Sequence, residues 1–119
     1  MNGANIVAAS TLLFLLAGGS ASAHAFLDSS VPPVGGTVAT SPPEVSISFT
    51  QDVEPDFSTI AVQDSAGVPV TSGKLHATAA DTLAVPVKKL GAGTYRVTWH
   101  ATSVDTHKTE GSFTFTVGR

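Results

Sequence analysis

Ala21-Ser22-Ala23 fits the small-x-small rule for removal of a secretory leader, and the next residue is His24. A chain that begins at His24 carries an α-amine and an imidazole on one residue. Together they can close a chelate ring on one metal ion. Free groups of these kinds have unperturbed pKa values of about 7.7–8.0 and about 6.5, so a metal displaces their protons under mild conditions. Nitrogen and oxygen donors in a square arrangement suit copper(II), which also heads the affinity order of the divalent ions. Taken alone, a histidine at this place is equally a by-product of where a peptidase cuts. A metal site rarely rests on one residue, because three or more ligands are the rule.

A second pair of donors stands in Val104-Asp105-Thr106-His107. Asp105 and His107 are two residues apart, and in an extended segment both side chains point to the same side. A carboxylate and an imidazole facing one way are two plausible ligands. The plainer alternative has Asp105 capping a turn and His107 in solvent. Two further histidines carry less weight. His76, in Lys74-Leu75-His76-Ala77, reads as a solvated loop residue. His100 reads as a surface residue that could at most orient a ligand from behind.

The elements that must hold these residues are strands. Pro and Gly recur at short intervals and no helical periodicity is sustained. Residues 44–50 alternate, with Val45, Ile47 and Phe49 on one face. Residues 58–63 form a second candidate strand. Asp64-Ser65-Ala66-Gly67 reads as a turn into Val68-Pro69-Val70. Residues 82–87 form another strand, which Pro86 suggests is an edge. After Gly91-Ala92-Gly93 comes a strong strand, with Tyr95, Val97 and Trp99 on one face and Arg96, Thr98 and His100 on the other. Residues 111–117 close the set, with Phe113, Phe115 and Val117 inward. Pro32-Pro33 and Pro42-Pro43 bracket an extended connection. This pattern predicts an all-β Greek-key sandwich or barrel.

The chain has 119 residues, enough for one small domain and not two. Much of its apolar content sits in Ile6-Val7-Ala8-Ala9 and Leu12-Leu13-Phe14-Leu15-Leu16-Ala17, which read as the core of a leader spanning residues 1–23. The stretch departs from the leader pattern in that residues 1–5 carry no Lys or Arg. As an uncleaved anchor it would be short, since a membrane span needs about 20 apolar residues. The expected mature domain is residues 24–119, exported to the periplasm or beyond and soluble. The net charge of −3, with no basic run, argues against nucleic acid as a partner. The absence of cysteine excludes disulfides, zinc fingers, iron–sulfur clusters and blue-copper thiolate sites.

Several segments together resemble the CopC family of bacterial copper-resistance proteins. They are His24-Ala25-Phe26-Leu27 followed by Ser30-Val31-Pro32 and Gly35-Gly36; Pro43-Glu44-Val45 through Phe49, then Val53-Glu54-Pro55 and Phe57-Ser58; Gly93-Thr94-Tyr95-Arg96-Val97-Thr98-Trp99; and Ser103-Val104-Asp105-Thr106-His107 through Gly111-Ser112-Phe113. The resemblance spans essentially the whole mature chain. It implies a seven-stranded Greek-key β-sandwich, immunoglobulin-like or cupredoxin-like. It also implies one copper(II) ion per chain, bound by the amine and imidazole of His24 with Asp105 and His107. By the same resemblance, an inner-membrane protein of the CopD type is a partner. A monomer is expected.

The sequence departs from the family in three places. Some members carry a Met-rich loop that binds copper(I), whereas Val62-Gln63-Asp64 to Val70 has no Met and the one Met is Met1. Soft thioethers select copper(I), so no copper(I) site is expected. A Glu sometimes near the copper corresponds here to Gln51, a neutral amide not counted as a ligand. His100 stands where relatives often have Arg.

Enzyme readings find little support. There is no G-x-S-x-G elbow, Gly91-Ala92-Gly93 precedes a strand rather than a helix, and Glu54 and Asp56 read as a solvated turn. An oxidative copper enzyme with a terminal-histidine site is one alternative, and it would use a second His where Asp105 stands. A metal-free immunoglobulin-like adhesion domain is the other, since the strand pattern alone fits it equally well.

Overall fold

Apolar and polar residues alternate along the longer segments, so each strand has one face to bury. In the computed structural model, which describes residues 25–118, the strands form two four-stranded sheets. They are β1 (Leu27–Val31), β2 (Thr37–Val38), β3 (Glu44–Phe49), β4 (Thr59–Gln63), β5 (His76–Ala79), β6 (Thr82–Pro86), β7 (Gly93–Thr102) and β8 (Lys108–Val117). One sheet runs β1-β3-β6-β5 and the other β2-β8-β7-β4. Seven of these strands have four or more residues; β2 has two and lies parallel to the end of β8, with Thr37 beside Thr116. The architecture is the expected all-β sandwich. The leader of residues 1–23 and His24 lie outside the described residues.

The inward faces are those the alternation selects. Val45, Ile47 and Phe49 of β3 pack with Leu83 and Val85 of β6, Ile60 and Val62 of β4, Tyr95, Val97 and Trp99 of β7, and Phe113, Phe115 and Val117 of β8. Each large apolar side chain withdrawn in this way contributes about 1.5–3 kcal/mol. Trp99 meets Phe49 across the two sheets edge to face, with centroids 5.2 Å apart. Tyr95 stacks on Phe115 at 5.6 Å within one sheet.

β6 is an internal strand, lying between β3 and β5, and not the edge that Pro86 suggests. Val87 turns its N–H toward the β3 side, donating to Pro43 O at 3.1 Å. Alternation points position 86 the other way, where β5 has ended, since β5 pairs only with residues 82–84. There Pro86 meets Ser72 rather than β5: Ser72 N donates to Pro86 O at 2.9 Å, and proline forgoes only the return bond. His76 is likewise a strand residue, the first of β5, rather than part of a loop.

The register brings four pieces of chain to one end of the sandwich. Leu27 pairs with Phe49, Ser48 with Thr82, Thr59 with His100, and Thr102 with Lys108. The first described residues, the β3–β4 connection, the β5–β6 turn and the β7–β8 hairpin loop therefore share that end.

Candidate metal centre

β7 and β8 are ten residues each, and five residues close them into a hairpin. Ser103 N donates to His107 O at 2.9 Å and Thr106 N donates to Ser103 O at 2.8 Å. Residues 105–107 thus form part of a tight turn rather than an extended segment. Thr106 has φ 73°, in the left-handed region, where a β-branched residue is uncommon and costs on the order of 1–3 kcal/mol. The turn still brings the two expected donors together. Asp105 Oδ1 lies 3.3 Å from His107 Nδ1, and the side chains are 46% and 55% exposed.

The Asp105 carboxylate is held from beneath. Ser103 is fully buried, and its hydroxyl donates to Asp105 Oδ1. That hydrogen bond is the largest cause of a carboxyl pKa below the usual value of 3.8; desolvation opposes it, and hydrogen bonds and charge from His107 reinforce it. A carboxylate kept ionised beside an imidazole nitrogen suits a divalent cation. One ion with bonds of about 2.0–2.2 Å reaches both atoms, because their separation is less than two such bonds end to end. Among the described residues no group of three or more His, Cys, Asp or Glu side chains gathers. The pair offers two donor atoms to an ion and does not by itself make a set of three.

The chain enters the fold beside this hairpin. Ala25 is fully buried, and Thr109 Oγ1 donates to its carbonyl at 2.5 Å. Thr109 is two residues beyond His107. Phe26 N donates to Thr50 Oγ1 at 3.0 Å, and Thr50 N donates to Phe26 O at 2.8 Å. The β3–β4 connection joins the same cluster, since Val104 N donates to Asp52 O at 3.1 Å and Val53 bridges Ser103. Gln51 sits in this connection. Its Oε1 is buried with no hydrogen-bond partner among the described residues. Such an orphan acceptor costs about 1–3 kcal/mol and calls for a donor. The family resemblance marks Gln51 as the place of a Glu sometimes near the copper, but its burial is not visible in the sequence.

The other histidines face elsewhere. His100 Nε2 lies 3.0 Å from Glu110 Oε1 on the exposed side of β7 and β8. His76 Nε2 lies 3.6 Å from Glu44 Oε1 on the opposite sheet. Neither joins Asp105 and His107. His24 cannot be compared in this way, because it lies outside the described residues.

Comparison with known proteins gives a consistent likeness. The model of the CopC domain matches residues 27–118. Copper resistance protein C of Escherichia coli is 36% identical over 107 residues, covering 82% of this chain and 84% of that protein. The crystal structure of CopC from Methylosinus trichosporium OB3b superposes with a TM-score of 0.75 at 34% identity, covering 80% of this chain and 94% of that one. The structure of PcoC, a methionine-rich copper resistance protein from Escherichia coli, gives 0.73 at 33% identity, covering 79% and 98%.

Proposed function

This chain belongs to the CopC family, and we propose that it carries or buffers copper(II) outside the cytoplasm, one ion per chain, through His24, Asp105 and His107. The observation that carries this reading is the meeting of two remote pieces of chain. Ala25, the residue bonded to His24, is buried and tied by Thr109, while His107 and Asp105, two and four residues before Thr109, converge on the same hairpin. Removal of residues 1–23 frees the His24 amine. The amine, two imidazoles and one carboxylate then make a nitrogen- and oxygen-rich donor set of the kind copper(II) prefers.

The role of each group follows from its chemistry. The His24 chelate supplies two neutral nitrogens after losing protons to solvent. Asp105, kept ionised by Ser103, supplies negative charge. His107 supplies the second imidazole, and the orphaned Gln51 carbonyl offers an acceptor to a bound amine or water. The carboxylate charge favours the oxidised ion, so the site suits carriage rather than redox turnover, and we read the protein as no enzyme. PcoC is described as methionine rich, whereas this chain has one Met, at position 1. The reading therefore includes no copper(I) site. It keeps a monomer in the periplasm, or otherwise exported, with a CopD-type membrane protein as partner by resemblance.

The test is a copper(II) titration, with EPR, of two purified forms: one beginning at His24 and one with a single residue added before it. Tight one-to-one binding by the first, much weakened in the second, is the expected result. Equal binding by both removes the amine from the site, and binding by neither ends the copper reading.

A further inference from the structure

We infer that Ser103 is the residue that positions Asp105 for the metal, its buried hydroxyl holding one carboxylate oxygen so that the group stays turned toward His107. For its functional sense the inference rests on the copper reading above. Among the described residues three polar ones are buried, Ser58, Thr102 and Ser103. Two of them serve the main chain alone. Ser58 Oγ donates to Glu54 O at 2.7 Å and accepts from Thr102 N at 3.1 Å, and Thr102 Oγ1 donates to Phe57 O at 2.8 Å. Each satisfies backbone groups that would otherwise be left without partners in the interior.

Ser103 differs. Its own N–H already closes the hairpin onto His107 O. Its hydroxyl reaches a side-chain carboxylate that is nearly half exposed and that water could solvate instead. The same hydroxyl lies 3.3 Å from His107 O, so it sits between the two proposed ligand residues. Its backbone is held on both sides, by the end of β7 before it and by the bridge to Val53. A donor fixed this firmly removes rotamer freedom from Asp105 before any ion arrives. Hydrogen bonds behind a metal ligand act in this way, and losing one typically weakens metal binding by about 10–100-fold.

The variant is Ser103→Ala in the chain beginning at His24. Alanine matches serine closely in volume, the hairpin-closing bond is main-chain, and the released Asp105 oxygen is open to water. The variant should therefore fold with little change in Tm. Copper(II) affinity is expected to fall about 10–100-fold. In the metal-free protein, the three-bond Hα–Hβ and N–Cγ couplings of Asp105 are expected to change from values of one χ1 rotamer to an average. In an Asp105→Ala background, Ser103→Ala should have no further effect on copper affinity. Wild-type affinity in Ser103→Ala, or an equal loss in the Asp105→Ala background, would overturn the inference. Should the wild-type chain bind no copper, the copper reading fails by itself, and the metal-free couplings still decide whether Ser103 fixes Asp105. If the alanine variant does not fold, Ser103→Gly removes the same hydroxyl and is put through the same measurements.

Discussion

Replacing Thr109 by valine removes one hydroxyl and keeps the shape and β-branching of the side chain. The hydroxyl donates to the carbonyl of Ala25, a residue with no exposed surface. Loss of a donor to a buried carbonyl costs about 1–3 kcal/mol. In a domain of this size each kcal/mol is worth roughly 4–8 °C in Tm, so calorimetry resolves the effect. The first described residues keep their two hydrogen bonds between Phe26 and Thr50, so the segment should loosen rather than detach. The looser segment carries His24. A net hydrogen bond of about 0.5–1.5 kcal/mol then appears as copper(II) affinity weakened about 2–12-fold, measured by competition titration. Thr109→Ser keeps the hydroxyl and should retain most of both properties. Wild-type Tm and affinity in Thr109→Val would refute the tether. Equal losses in the serine and valine variants would assign the effect to the methyl group instead.

Gly111→Ala should destabilise the fold by about 1–3 kcal/mol, because a Cβ there would stand 2.7 Å from Trp99 Cζ2; the urea midpoint followed by Trp99 fluorescence reads it. Phe115→Ala removes a 1% exposed ring stacked on Tyr95 and should cost about 3–5 kcal/mol, a large part of a typical domain's stability, seen in the same urea titration. The Asp105 carboxyl titrates lower in the folded chain than when unfolded, so its contribution is present above the ordinary carboxylate value and is lost as pH falls through the depressed one. Asp105→Asn should therefore flatten the metal-free stability profile below about pH 4, measured by thermal melts across that range.

What the sequence makes legible here is periodicity. β3, β7 and β8 alternate over six to ten residues with one largely apolar face, and those faces form the core. β5 escapes because all four of its residues, His76 to Ala79, are exposed, so no alternation marks it. Pro86 misleads because a proline at the last residue of an internal strand forgoes a single bond, here to the short segment at Ser72 and not to β5. In the site, the Asp-x-His spacing signals a pair of donors, but the way they meet is hidden. A threonine in the left-handed region is against local preference, so the sequence offers the turn only as the alternative to an extended segment. Ser103 and Gln51 gain their meaning from burial, which comes from packing. The Thr109–Ala25 contact joins residues 84 apart, a distance no local pattern spans.

On the proposed reading the copper site has two halves that arise from different events. The His24 amine exists once the bond to Ala23 is cut. Asp105 and His107 meet once β7 and β8 pair and the hairpin closes on the β3–β4 connection. A folded precursor lacks the chelate, and a cut but unfolded chain lacks the carboxylate–imidazole pair. Binding at full affinity then belongs to the folded, cut chain, and linkage gives this a thermal signature. An ion that binds the folded form alone raises its stability by about 2.7 kcal/mol when free ion stands at 100 times Kd. Copper(II) should therefore raise the Tm of the chain beginning at His24 by many degrees. The same chain with one residue added in front should shift far less at equal free copper. Equal shifts in both forms would mean that the ion is held without the amine, and the two-event account would fail.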